Sequence, residues 1–200
     1  MNEQILINVT PQESRVAIME QGAVQELHVE RGSNRGLVGN VYLGRVGRVL
    51  PGMQSAFIEI GLARAAFLHV AEVWSGNKSA EQKPIEKLLH DGQSIVVQVI
   101  KDPIGSKGAR LSMQISFAGR LLVYLPQDQH IGISQRIEDE AEREHLREKV
   151  HALMPAGETG GFIVRTVAET ATDEELTADI EYLIKLWRGI LEKSKTAAAQ

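Results

Sequence analysis

"GMQSAFIEIGLARAAFLHV", residues 52–70, places Phe57 and Phe67 in two short runs separated by a turn at Gly61. The chain is sparing with rings, having four Phe, three Tyr and two Trp in 200 residues. Successive side chains of a strand point to opposite faces. In "SAFIEIG" that puts Ala56, Ile58 and Ile60 on one face and Phe57 with Glu59 on the other. Ile58 and Ile60 make the better core pair, and an unpaired Glu59 would be costly inside. In "AAFLHV", Phe67 and His69 share one face, and Leu68 and Val70 the other. Two rings are therefore expected to face outward from adjacent strands, as a platform on which unpaired bases can stack. The opposing reading is that both rings belong to the core.

Around this stretch, strand signals dominate. "NVYLGRVGRVL" (40–50) precedes it. A polar insertion, "SGNKSAEQKP" (75–84), and a short helical piece, "IEKLLHDG" (85–92), follow it. "QSIVVQVIKD" (93–102) and "GARLSMQIS" (108–116) complete the segment. Five strands with a short helix after the third predict an OB-type five-stranded β-barrel over residues 36–118. Before it, "QILINV", "SRVAIME" and "AVQELHVE" read as strands of an N-terminal β-hairpin within residues 1–35. The three-glycine stretch "RGSNRGLVGN" (31–40) links the two.

After Ile115 the pattern changes. "GRLLVYLP" is a strand stopped by Pro126. Residues 137–154 carry Leu146, Val150 and Leu153 or Met154 at helical spacing. "GGFIVRTVAE" is a second strand. Residues 172–195 form a helix with a Thr172/Glu175 capping box and a stripe of Leu176, Ile180, Leu183, Trp187 and Ile190. The expected class is α+β, with a small strand–helix–strand–helix region over residues 119–200. The final "KSKTAAAQ" holds no stop signal, so the native chain is expected to continue.

Composition narrows the function. There is no cysteine, which excludes disulfides and Cys-based zinc sites in these residues. No apolar run approaches the ~18–20 residues that span a bilayer, and the N-terminus lacks a basic segment before its apolar one, so a cytoplasmic protein without a membrane partner is expected. The net charge of −4 is unevenly spread: −2 over residues 1–35, +3 over 36–118 and −5 over 119–200. Only the middle segment favours a polyanion. Within it, Lys101 and Lys107 flank "DPIGS", followed by Gly108 and Arg110. A glycine-bearing loop with cations at both ends suits a phosphate backbone, although most such clusters are solvated turns. His69 is either an ordinary surface histidine or an RNA contact. No histidine shows metal-ligand spacing with it. The "EDEAEREHLREK" run reads as a solvated helix face, and Trp74 and Trp187 as packing residues.

"GNVYLGRVGRVLPGMQSAFIEIG", "AAFLHV", "DGQSIVVQVIKD" and "GARLSMQIS" together resemble the S1 RNA-binding domain, an OB-fold variant. With the flanking "ILINVTPQESRVAIMEQGAVQELHVER", "KDPIGSKGARL", "ISQRIEDE" and "GGFIVRT", the chain resembles the N-terminal half of the ribonuclease E/G family over essentially its whole length, nearer the G than the E branch. The resemblance implies that residues 1–35 begin a split RNase H-like subdomain into which the S1 domain is inserted. It implies that residues 119–200 are a 5′-sensor region, with Arg165 and Thr166 holding the 5′-monophosphate of RNA and Gly119 and Val123 approaching the terminal nucleotide. An isolated Arg-Thr at a strand end would otherwise be ordinary structure. It favours Lys107 first and Lys101 second as loop contacts. The magnesium-binding aspartates and a Cys-x-x-Cys zinc link belong to a later part of the family. No catalytic residue, metal site or cofactor is therefore expected in this chain, and magnesium is expected for the full-length enzyme. The implied partner is single-stranded RNA, preferably 5′-monophosphorylated, with rRNA 5′-end maturation and mRNA decay as processes and a homo-oligomer as the full-length state. A non-catalytic S1-domain RNA-binding protein and an OB module that binds protein are the competing functions.

Overall fold

Ala56, Ile58, Ala66 and Leu68 face a common interior with no solvent exposure, and Phe57 and Glu59 lie outside it. This alternation is found in a computed structural model that describes residues 3–32, 36–74, 76 and 83–197. The chain divides into two compact units, Met1–Leu37 and Val38–Gln200. Parts of the linker and of the polar insertion, at residues 33–35, 75 and 77–82, and the last three residues lie outside the described residues.

The first unit is a three-stranded antiparallel sheet: β1 (Glu3–Val9), β2 (Glu13–Glu20) and β3 (Ala23–Arg31), in the order β1-β2-β3. The three runs read as strands from the sequence all form, and they make a three-stranded sheet in place of the expected hairpin. Glu13 accepts from Arg31 Nε at 3.1 Å and is also paired with Arg15, and these guanidiniums hold its carboxyl below the usual range. Apolar residues stand exposed on both faces of the sheet. Ile5, Ile7 and Val9 share one, and Leu6, in register with Ala17 and Leu27, is on the other.

The second unit opens with a closed barrel of β4 (Val41–Leu50), β5 (Ser55–Glu59), β6 (Ala66–His69), β7 (Ser94–Lys101) and β8 (Arg110–Ser112), in the order β4-β5-β6-β8-β7. β4 is long enough to pair with both β5 and β7, and a parallel β6–β8 pairing completes the ring. This is consistent with an OB-like barrel. The interior is filled by Val46, Ile58, Leu68, Val97, Val99 and Leu111. Ile85–Lys87 form one 3-10 turn where the sequence suggests a short helix. Pro84 and the turn at Asp91–Gly92, with Gly92 at φ +83, leave no room for a longer one.

The rest of the unit is a four-stranded sheet, β11-β12-β10-β9, from β9 (Phe117–Ala118), β10 (Leu122–Leu125), β11 (Ile131–Ile133) and β12 (Gly161–Val164). β11 runs parallel to β12, and the other pairs are antiparallel. Two helices pack against it, α1 (Glu140–Leu153) and α2 (Asp173–Thr196). Asp139 caps α1 by accepting from Glu142 N at 2.7 Å, and α2 starts with the Thr172/Glu175 capping box. Leu146 and Val150 of α1, with Leu176, Ile180 and Leu183 of α2, are buried over Leu122, Tyr124 and Phe162. Trp187 packs on Phe117 with centroids 6.0 Å apart. Tyr124 donates to Glu158 Oε1 at 2.7 Å, and burial together with that carboxylate pushes its phenol above the usual value.

Barrel and sheet are joined through Gln98, which is 5% exposed. Its Nε2 donates to Gly39 O and Ser116 O, and its Oε1 accepts from Ser116 N at 2.9 Å. A buried amide with all three bonds made is a specific connection rather than a penalty.

Candidate nucleic-acid interface

Phe57 on β5 and Phe67 on β6 are direct cross-strand partners. Their rings meet edge to face, with centroids 6.3 Å apart and planes at 66°. Phe57 is 39% exposed, and Phe67 is half-buried beside it. Together with Arg64, Lys101, Lys107 and Arg110 they line a groove of about 910 Å³, which also takes in Met53, Ile104 and Asp102. Four cations and one carboxylate around two rings give a positive, apolar-based trough. Single-stranded nucleic acid is recognised by that combination of stacking faces and backbone charge.

The loop from 102 to 108 is shaped by its own backbone. Ile104 and Lys107 exchange both N–H···O bonds across Gly105, whose φ of +57 suits glycine. Arg64 Nη1 donates to Gly105 O and ties the loop to the β5–β6 connection. Arg110 stands in register with Phe67, and its Nη2 approaches Glu72 Oε1 at 3.5 Å. Its buried Nε is without a protein partner among the described residues. His69 is not one of the groove's lining residues. Its Nδ1 accepts from Ala71 N at 3.2 Å and caps the 3-10 turn Val70–Glu72.

Gly108 sits in the wall of this groove, and a Cβ there would lie 2.0 Å from Ala65 O. The clash is with backbone and cannot be relieved by a rotamer change. Gly108→Ala is expected to destabilise the chain by about 3 kcal/mol, at the upper end of overpacking costs. It should also displace the start of β6 and with it Phe67. Denaturant unfolding checks the first effect, and a reduced affinity for single-stranded RNA the second.

The second cluster lies in the sheet. Arg165 follows β12, and its Nη1 donates to Gly119 O at 2.7 Å and Arg120 O at 3.4 Å. Gly119 opens a turn closed by its N–H to Leu122 O at 2.7 Å. The Asp179 carboxylate of α2 fills the inside of that turn, accepting from Arg120 N at 3.3 Å and from Leu121 N and Leu122 N at 2.9 Å each. A Cβ on Gly119 would lie 2.5 to 2.8 Å from this carboxylate, so glycine is required by the close approach. Arg120 reaches Glu175 Oε1 at 2.6 Å, and that guanidinium, with the Thr172 N–H, holds the Glu175 carboxyl below its usual range. Val123 is on β10 between Ala118 and Ile163, and Thr166 begins a 3-10 turn directly after Arg165.

The structure thus joins Arg165 to Gly119 directly, with Thr166 adjacent in sequence. It gathers Phe57, Phe67, Lys101, Lys107 and Arg110 into one groove and leaves His69 out of it. Sequence reasoning missed Arg64 and Asp179. Asp179 carried a signal: it lies three residues after Leu176 and four before Leu183, on the buried stripe of α2 where a carboxylate needs partners.

A model of the ribonuclease E/G family matches residues 116–200. The chain is 50% identical over 198 residues to ribonuclease G of Haemophilus influenzae, covering 95% of this chain and 40% of that protein. It is 47% identical over 203 residues to ribonuclease G of Escherichia coli strain K12, covering 98% and 41%. Ribonuclease E of Nostoc sp. strain PCC 7120 is 36% identical over 200 residues, covering 100% and 28%. The chain therefore spans about two fifths of the length of the ribonuclease G relatives it matches.

Proposed function

We propose, because the chain belongs to the ribonuclease E/G family, that it is the part of an endoribonuclease that grips single-stranded RNA and senses its 5′ end. The observation that carries this reading is the Phe57–Phe67 pair set in a groove with four cations. The rings supply sequence-tolerant stacking, and Arg64, Lys101, Lys107 and Arg110 track the phosphates. Arg165 and Thr166 hold a terminal monophosphate, and Gly119 and Val123 border its nucleotide. One Arg165 nitrogen is committed to the Gly119 and Arg120 carbonyls, which aims the guanidinium and leaves its other N–H groups for phosphate oxygens.

The same reading covers the remaining parts. The sheet of the first unit, with apolar residues on both faces, is suited to the interior of a layered fold, in line with a split RNase H-like subdomain. The parent enzyme acts in rRNA 5′-end maturation and mRNA decay, in the cytoplasm, as a homo-oligomer. Its hydrolysis uses magnesium. Among the described residues no three His, Asp or Glu side chains are grouped as metal ligands, so no step is assigned to magnesium in this chain.

Titration of an unstructured oligoribonucleotide at several salt concentrations tests the RNA-binding reading. Four backbone-tracking cations predict a log–log slope of about −3, at ~0.7 per phosphate on a single strand. Phe57→Ala and Phe67→Ala should each weaken binding by about 1–3 kcal/mol with the slope unchanged. A slope near zero, or a ring removal that alters the slope and not the affinity, would refute the division of labour between rings and cations.

A further inference from the structure

Arg48 is not one of the residues that line the groove of the two rings, but the strand register sets it beside Phe57. On β4, two-residue alternation counted from Val46, which is 1% exposed, would aim Arg48 into the barrel. A β-bulge at Gly47 prevents this. Val46 pairs with Ile58, the next pair is Arg48 with Phe57, and Arg48 comes to the outer face, exposed. Glycine suits the extra position, because a Cβ on Gly47 would stand 3.4 Å from Glu59 Oε1. β7 uses the same device. Val99, also 1% exposed, pairs with Leu111, and the next pair is Lys101 with Arg110. The bulge at Ile100 thus turns outward a lysine that alternation would bury.

The two bulges complete a row across the barrel in which each residue is the register partner of the next: Arg48, Phe57, Phe67, Arg110, Lys101. At about 4.8 Å between neighbouring strands the row is roughly 19 Å long. Its centre is the pair of rings, and cations stand on both sides of them. Bulges also bend strands so that a barrel can close, but bending alone does not require a cation at the residue that is turned outward. Among the described residues Arg48 makes no hydrogen bond or ion pair, whereas Arg64 is engaged with Gly105 O and Arg110 with Glu72. The next cation along β4, Arg45, differs: its register partner is the Glu59 carboxylate.

We propose that Arg48 is a further RNA contact, which binds a backbone phosphate on the side of Phe57 away from Arg110, so that the strand crosses the barrel along this row. The proposal rests on the reading of the Phe57–Phe67 groove as a site for single-stranded RNA. Bases stack on the two rings, and the phosphates before and after them meet a cation at each end. Arg45 takes no part, since the carboxylate beside it repels a phosphate.

The test titrates this chain with an unstructured oligoribonucleotide at several salt concentrations. Arg48 adds a fifth phosphate contact to the four of the groove, so the log–log slope for wild type should be about −3.5, at ~0.7 per phosphate. Arg48→Gln should return it to about −3 and weaken binding about two- to threefold more at 50 mM than at 200 mM salt. Arg48→Lys, which keeps the charge, should retain the wild-type slope. Arg45→Gln should leave slope and affinity as they are. Urea unfolding of Arg48→Gln should match wild type, because the side chain is exposed and without a protein partner. The proposal is overturned if Arg48→Gln leaves the slope unchanged, or if Arg45→Gln lowers it equally, which would make both arginines part of a general attraction. Lys101→Gln and Phe57→Ala form the separate arm. If these weaken binding and Arg48→Gln does not, the groove stands and the row falls. If neither of them weakens binding, the reading of the groove as an RNA site falls, whatever Arg48→Gln does.

Discussion

Asp179→Ala is expected to lower folding stability by about 2–4 kcal/mol and to take with it most of any preference for a 5′-monophosphate. The carboxylate satisfies three successive backbone N–H groups, those of Arg120, Leu121 and Leu122. Hydrogen bonds to a charged acceptor contribute about 1.5–3 kcal/mol each, and the three share one acceptor and so do not sum. Two of them are partly buried, and water compensates those poorly after the acceptor is removed. The turn they hold is the one whose Gly119 and Arg120 carbonyls receive Arg165 Nη1. Release of the turn therefore also releases the guanidinium, and the functional loss should exceed that of an equally destabilising change elsewhere in the core. Asp179→Asn keeps one acceptor oxygen of two and should lie between the variant and wild type. Urea unfolding at unchanged m-value gives the stability, and paired titrations with 5′-monophosphate and 5′-hydroxyl RNAs give the preference. A stable Asp179→Ala chain with unaltered end preference would mean that the turn is held by its own Gly119–Leu122 bond and needs no anchor from α2.

The parts of the fold that follow a long period were legible before the structure. Two-residue alternation assigned Ala56 and Ile58 to the interior and Phe57 to the surface, and the structure has them so. The apolar stripe of α2 and its Thr172 cap were read from spacing in the same way. The short elements were not legible. β9 has two residues and β11 three, too few for any periodicity to show, and each exists because a neighbouring strand offers it a ladder. Residues 85–92 carry helix-favouring Glu86, Lys87, Leu88 and Leu89, yet one 3-10 turn forms. Ile85 and Leu89 are drawn into the barrel core, and the chain must turn at Gly92 to begin β7. The candidate sites divide along the same line. Phe57 and Phe67 could be placed from local alternation. Asp179 acquires its role only when α2 folds back on a turn nearly sixty residues earlier, and in the linear chain it is one acidic residue in a strongly acidic segment.

Arg165→Lys should separate charge from geometry at the 5′ end. Arginine presents a planar fork of N–H groups, and lysine a compact charge on a flexible stem. In the chain, one end of the fork is already spent on Gly119 O at 2.7 Å and Arg120 O at 3.4 Å, which fixes the plane of the rest. A 5′-monophosphate offers oxygens to that fixed plane, and a 5′-hydroxyl does not. Lysine retains the general attraction for the strand but cannot bond the two carbonyls and the phosphate together. Overall affinity for 5′-hydroxyl RNA should therefore change by less than about threefold, and the preference for the monophosphate should fall about 10- to 100-fold, corresponding to one charge-assisted pair of bonds at about 1.5–3 kcal/mol. Arg165→Ala should abolish the preference entirely and weaken 5′-hydroxyl RNA only by its share of the salt-dependent attraction. Titrations of short RNAs that differ only at the 5′ end, on wild type and both variants, measure each quantity. Equal losses for the two ends on Arg165→Ala would reduce Arg165 to a general phosphate contact. A Lys variant that keeps the full preference would show that charge near Gly119 is sufficient and that the fork is not used.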